Sequence, residues 1–345
     1  MTATNFDRRY LLMAAAGVFV LLIVVYPLWQ VLFRSFLDAG VLSLKSYQKV
    51  FSYPSYYRAL LNSVWISCAT AALCMILGTL LAFLVVRTDL PGKTSLRTLL
   101  VLPYALPSFF AAIAWIQLLG PQGYLARLLL QVFGSAAVPW NIYSAGGIVF
   151  VLTVHYFILV FITVAGALER MDASLEEAAR ASGAGTYRIM REITLPLVLP
   201  AIVAGGLLAF IGALANFGIP ALLGMRARFF VLTTSVYYAL AIPDFGLATA
   251  LSSMLVLVAL ISMAYTNQHL QDKLQAQQQS LNQGVLGQQS QQISAGVIQE
   301  LADAGAGNPD LRDLLEKHGY RASAPKGKAA TRSQPEHKWD AIPKT

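Results

Sequence analysis

Apolar and polar stretches alternate along the first 266 residues on a scale much longer than one helical turn. Six apolar runs occupy about 10–33, 62–86, 96–119, 145–168, 195–223 and 247–266. A bilayer-crossing helix needs about 20 such residues, so each run predicts one span. The fold class is all-α: a polytopic membrane protein with six transmembrane helices, both chain ends on one side. Prolines bend this plan in two places. Pro103 and Pro107 lie in the third run, and Pro196, Pro200 and Pro220 in the fifth. Each removes a helical hydrogen bond, which predicts kinks there. Arg8 and Arg9 precede the first run, which is too long for the apolar part of a cleavable leader and lacks a clear cleavage site.

From 267 onward the pattern changes. Residues 267–345 form a polar, Gln-rich tail that reads as largely flexible. Short helical patterns fall at 294–304 and 308–317, the second with Pro309 at a helix-start position.

Composition sharpens the class. Hydrophobic residues make up 57% of the chain and charged residues 12%, against about 25% charged in soluble domains. The formal charge of +8 is spread over the loops, where lipid headgroups and partners account for it; it does not indicate nucleic acid. No Asp, Glu, Lys or Arg stands in the interior of any run. Ion-driven carriers place such groups near the midplane, so the energy for transport is expected from outside these helices. Cys68 and Cys74, the two cysteines, are six apart in one run and face different directions, which predicts neither a disulfide nor a metal pair.

One polar connector, 169–194, is longer than a turn requires. Ser174 with Glu177 three residues later predicts a capping box. Ala178, Ala179 and Ala181 predict a slim helix, and Gly183 stands where a left-handed glycine ends one. A second helical turn runs over 187–193. With Leu175 beside the alanines, the small helix is shaped to enter a groove on a partner.

Glu177-Ala178-Ala179, then Gly183, Ile193 and Leu195-Pro196, match in every spacing the cytoplasmic loop of permease subunits in binding-protein-dependent ABC importers. The chain resembles that family over about 10–266. Leu102-Pro103 through Pro107-Ser108, Leu119-Gly120-Pro121-Gln122-Gly123, and Asn216-Phe217-Gly218 with Leu222-Leu223-Gly224 look most like its ferric-ion type. Relatives of that type carry thiamine, polyamines or 2-aminoethylphosphonate.

The resemblance implies an inner-membrane protein with both termini cytoplasmic, and ferric iron as solute. It also implies an ABC ATPase dimer that uses ATP, a periplasmic or lipid-anchored solute-binding protein, and a second permease chain, since one chain carries one loop motif. Leu175, Glu177, Ala178, Ala179, Gly183, Ile193, Leu195 and Pro196 become the ATPase-coupling residues. The count of Lys and Arg favours the same orientation only slightly.

Polar residues inside the runs mark a candidate pathway: Tyr104, Ser108 and Gln117 around the third run's prolines, and Asn216 with Phe217 before the Gly218-Ile219-Pro220 break. Gly205, Ala209 and Ala213, four apart, predict close helix packing. His155, alone in the fourth run, is expected to hydrogen-bond a neighbouring helix. Gly92-Lys93-Thr94 resembles the end of an ATP-binding loop, but Arg87 stands where that loop needs glycine. No metal or nucleophile motif appears, and the chain reads as a transport subunit rather than an enzyme, binding no cofactor of its own. A secondary transporter and a membrane scaffold that recruits an ATPase are the readings of other classes.

Overall fold

The computed structural model describes residues 8–38, 40–134 and 140–305. Its contacts divide the chain into two units, Met1–Asp272 and Lys273–Thr345. Six helices are long and apolar enough to cross a membrane, as the six runs predict.

The first span comprises α1 (Arg8–Val20), a wide π-helical turn at Leu21–Val25, and α2 (Tyr26–Ser35). None of its apolar window is buried. A short hairpin pairs Leu37–Asp38 with Val41–Leu42 and leads to α3 (Lys45–Ser52). The second span is α4 (Pro54–Arg87), longer at its start than the apolar run because Tyr53 breaks the chain and Pro54 sits at a helix-start position.

The third run departs from the expected single kinked helix. It forms two helices, α5 (Lys93–Ala105) and α6 (Ser108–Leu119), separated at Leu106-Pro107. Pro107 cannot donate to the carbonyl four residues back, and its ring holds Leu106 extended. The membrane-length apolar segment therefore begins at Ser108 and runs to Val132, through α7 (Tyr124–Phe133). The fourth span, α8 (Ala145–Arg170), is capped by Ser144, whose hydroxyl accepts the N–H of Gly147 at 3.0 Å.

After α8 come α9 (Ser174–Ala181), α10 (Thr186–Ile189), a π-helical turn at Met190–Thr194, and α11 (Leu195–Ala215). The fifth span starts earlier than the apolar run, at Thr186, and ends at Ala215 rather than Leu223. Both π turns stop two residues before a proline, Pro27 and Pro196. Widening the helix there relieves the clash of the ring with the preceding turn. Beyond Asn216-Phe217 lie α12 (Gly218–Gly224) and α13 (Leu232–Ala241).

The last element, α14, runs unbroken from Phe245 to Gly305. The sequence reading expects flexibility from 267; the structure continues the helix, since Gln, Leu, Lys and Ala all propagate one. The pattern at 308–317 lies outside the described residues.

At the centre, α8 packs between α4 and α11. The contacts use small residues, as lipid-facing helices associate by packing rather than hydrophobic transfer. A Cβ on Gly205 would lie 2.7 Å from Val160 Cα, and one on Gly78 would lie 2.7 Å from Phe157 O. Ala209 and Ala213 are buried, so the predicted stripe is a packing surface. Both cysteines are free; Cys74 is buried and donates to Thr153 O at 3.6 Å.

Candidate coupling loop and transmembrane cleft

The helix α9 holds the spaced residues of the connector. Its expected capping box is absent. Ala173 takes the N-cap position without a side-chain bond, and Ser174 is already helical. Asp172 does the work instead: its carboxylate accepts the N–H of Ser174 at 2.9 Å. The hydrogen bonds from Ser174 hold the Asp172 carboxyl below the usual carboxylate range.

The other end forms as predicted. Gly183 has φ +82°; its N–H donates to Arg180 O at 2.9 Å, and Ala184 N–H to Ala179 O at 3.0 Å. This pair of bonds is the Schellman ending. A Cβ at Gly183 would meet nothing of this chain within 4 Å.

The motif residues divide between two faces. Leu175, Glu177 and Ala178 are exposed, and Ala179 is half-buried. Ile193 is half-buried inside the π turn, while Leu195 and Pro196 open α11 exposed. Glu176, which sequence reasoning passes over, turns inward. Its Oε1 lies 3.1 Å from Arg87 Nη2 at the end of α4 and accepts from Thr194 Oγ1 at 2.9 Å. Thr194 is 3% exposed. Nothing in local spacing marks this inward turn, because Arg87 is distant in sequence.

Four of the five pathway residues meet in one open cleft of about 600 Å3. Tyr104, Ser108, Asn216 and Phe217 line it with Tyr156, Leu159, Leu208, Ile211 and Gly212. Gln117 is not there. It lines a separate hollow with Gln122, Tyr124 and Arg127, near the far end of α6, nine residues and about 13 Å along the helix from Ser108.

The cleft lies where two spans are interrupted side by side. A Cβ on Gly218 would be 3.1 Å from both Phe109 N and Ser108 Oγ, so the starts of α12 and α6 pack closely, and a larger residue would need them to give way slightly. Asn216 is 6% exposed and fully used. Its Nδ2 donates to Tyr156 OH at 3.0 Å, its Oδ1 accepts the N–H of Ile219 at 3.0 Å, and its carbonyl accepts from Thr233 Oγ1 at 3.0 Å. Asn216 thus caps α12 and fixes a wall of the cleft. Phe217 is 40% exposed and its ring lies 5.3 Å from that of Tyr237.

His155 is buried, and its Nδ1 has no hydrogen-bond partner among the described residues, so the neighbouring-helix bond expected of it is not made through that nitrogen. The His155 ring lies 5.6 Å from that of Tyr104, near the end of α5. Among the described residues lining the cleft none is charged, and no His/Cys/Asp/Glu group could hold a metal.

Six spans, with α8 packed between α4 and α11 and a short amphipathic helix between the fourth and fifth, define a multi-pass transport subunit of the inner membrane. Residues 74–271 match the family described as "Binding-protein-dependent transport system inner membrane component", and the chain belongs to it. The chain is similar to the molybdenum transport system permease protein ModB of Escherichia coli (strain K12), 36% identical over 163 residues, covering 47% of this chain and 69% of that one. It is also similar to the ferric transport system permease protein FbpB of Actinobacillus pleuropneumoniae, 27% identical over 242 residues, covering 69% of this chain. The chain spans only 34% of the length of that ferric relative. Among solved structures it resembles, in fold, a bacterial ABC transporter involved in the import of the acidic polysaccharide alginate. The TM-score is 0.66 at 18% identity, covering 77% of this chain and 96% of that one.

Proposed function

We propose that this chain is the pathway-forming permease subunit of an ABC importer, acting as one of two membrane bundles, either two copies or this chain with a paralogue. A periplasmic or lipid-anchored binding protein delivers solute to the outer loops. A cytoplasmic ABC ATPase dimer binds ATP and engages α9, which places both termini in the cytoplasm. Solute passes along the cleft of Tyr104, Ser108, Asn216 and Phe217. The observation that carries this reading is the build of α9. It is slim, exposed on the Glu177 and Ala178 face, open around Gly183, and tied to the bundle on its inner face.

The test is co-expression of the tagged chain with its partner ABC ATPase. The expected result is ATPase retained on the membrane complex through purification, together with ATP-dependent uptake in vesicles supplied with the binding protein. Uptake that persists without ATP but needs an ion gradient would make this a secondary transporter. ATPase binding with no solute moved would make it a scaffold.

Ferric iron is the proposed solute, supported by ferric-system relatives that align over most of this chain. A second reading, an oxyanion, is favoured by one observation. The cleft offers the hydroxyls of Tyr104, Ser108 and Tyr156 and no carboxylate, and neutral donors suit an oxyanion better than a bare cation. Parallel uptake of labelled ferric iron and molybdate by the same vesicles separates the two.

A further inference from the structure

We infer that Glu176, the residue before the motif glutamate, is a positioning residue that fastens α9 to the ends of two spans; this rests on the permease reading above. Two donors converge on a single oxygen. Arg87 Nη2, from the last residue of α4, is 3.1 Å from Glu176 Oε1, and Thr194 Oγ1, from the turn that opens into α11, is 2.9 Å away. The Glu176 side chain is 13% exposed and that of Arg87 27%. A charge-assisted bond in such a place is short of water to replace it and holds its geometry.

The need for such a fastening follows from the chain. An isolated helix of eight residues has little stability. It is joined to α8 through Met171-Asp172-Ala173 and to α10 through Ser182-Gly183-Ala184-Gly185, two of whose four residues are glycine. Peptide links of this kind dissipate a push. Among the described residues no other side-chain hydrogen bond or ion pair joins α9 to the spans. Consecutive glutamates therefore have opposite tasks. Glu177 faces away from the bundle, toward the docking side, while Glu176 faces inward and hands the motion of α9 to α4 and α11 together. Both of those spans pack on α8.

The experiment uses the complete complex with its ATPase and binding protein in proteoliposomes, and reads two quantities: ATPase bound per permease chain, and solute transported per ATP hydrolysed. Glu176→Gln and, as a shape-conserving second variant, Thr194→Val are expected to bind ATPase at the wild-type ratio. Their transport per ATP falls about fivefold or more, the lower end of ordinary coupling between sites. Arg87→Glu alone should fall likewise, and Arg87→Glu combined with Glu176→Arg should recover at least half of the ratio, which loss of folding could not produce. Wild-type transport per ATP in Glu176→Gln, or no recovery in the exchanged pair, overturns the inference. Loss of ATPase binding in Glu176→Gln also overturns it, since the residue would then belong to the docking face. If the wild-type chain itself binds no ATPase, the permease reading fails first, before any variant is compared.

Discussion

Gly183 allows backbone strain to be separated from contact with a partner. Its φ of +82° costs a residue with a Cβ about 1 to 2 kcal/mol. Strain alone therefore reduces the population of the correctly ended loop by a factor of about 5 to 30. The space around it is open within this chain, so Gly183→Ala measures that strain and little else. Asp is among the few side chains that tolerate the left-handed region, so Gly183→Asp is strained less than Gly183→Ala. If Gly183 lies against the ATPase, the order of damage reverses, because the larger charged side chain must enter the partner's surface. The expected outcome is normal expression and membrane insertion for both, partial loss of ATPase co-purification and uptake in Gly183→Ala, and near-complete loss of both in Gly183→Asp. The assay is quantitative pull-down of ATPase together with vesicle uptake. Damage in Gly183→Asp no greater than in Gly183→Ala would put Gly183 outside the interface. Wild-type transport by Gly183→Asp with ATPase bound would remove the coupling role from this loop.

Glu177→Lys should weaken ATPase retention only in part: no cap is lost, and a reversed charge at a helix start costs about 0.3 to 1 kcal/mol; unchanged retention at low salt would count against docking on that face. Gly78→Val should lower the thermal midpoint of the purified bundle, since its Cβ would press on Phe157 O and Val160 Cβ at 2.7 Å, an overpacking worth about 1 to 3 kcal/mol. An unshifted midpoint would mean that α4 and α8 are not held as closely as described. Truncation after Ser280 should leave membrane insertion and ATPase recruitment intact, and failure to assemble would give the tail a role in the complex. Native mass spectrometry of the active complex should find two six-span chains, and a single one would end the two-bundle reading.

The six spans are legible because apolar runs of that length have few other uses. Their ends are not. Arg188, Arg191 and Glu192 fall in the helical turn expected over 187–193, but nothing in their sequence shows that this turn runs unbroken into the fifth span, which begins at Thr186, with Arg188 and Glu192 paired across one turn at 2.9 Å. Prolines announce trouble in the third run but not its form. Whether a helix bends or separates is set by residues distant in sequence: here the start of α6 lies against that of α12, where a Cβ on Gly218 would be 3.1 Å from Phe109 N. The coupling helix is readable from spacing because its slimness and its glycine ending are local properties. The inward role of Glu176 is unreadable for the opposite reason. It depends on Arg87 and Thr194, and adjacent glutamates look alike until their partners are placed. The low hydrophobicity of the tail reads as disorder, whereas its Gln, Leu and Lys content is compatible with a helix once α14 is already nucleated.

One element connects the two sites. The helix α11 begins directly after Thr194, which is bound to Glu176, and ends at Asn216, which caps α12 and meets Tyr156 in the cleft. Its 21 residues rise about 30 Å at 1.5 Å each, the thickness of a bilayer core. The wide turn at Met190–Thr194 lies before this rod, and α11 is backed along its length by the small-residue contacts of Gly205, Ala209 and Ala213. If α9 is the coupling element proposed above, a displacement there would reach the cleft through a packed helix rather than through a flexible linker. On the proposed permease reading the spans would need no charged residue for this, since a displacement applied at the Thr194 end of α11 would be carried to Asn216 at the other.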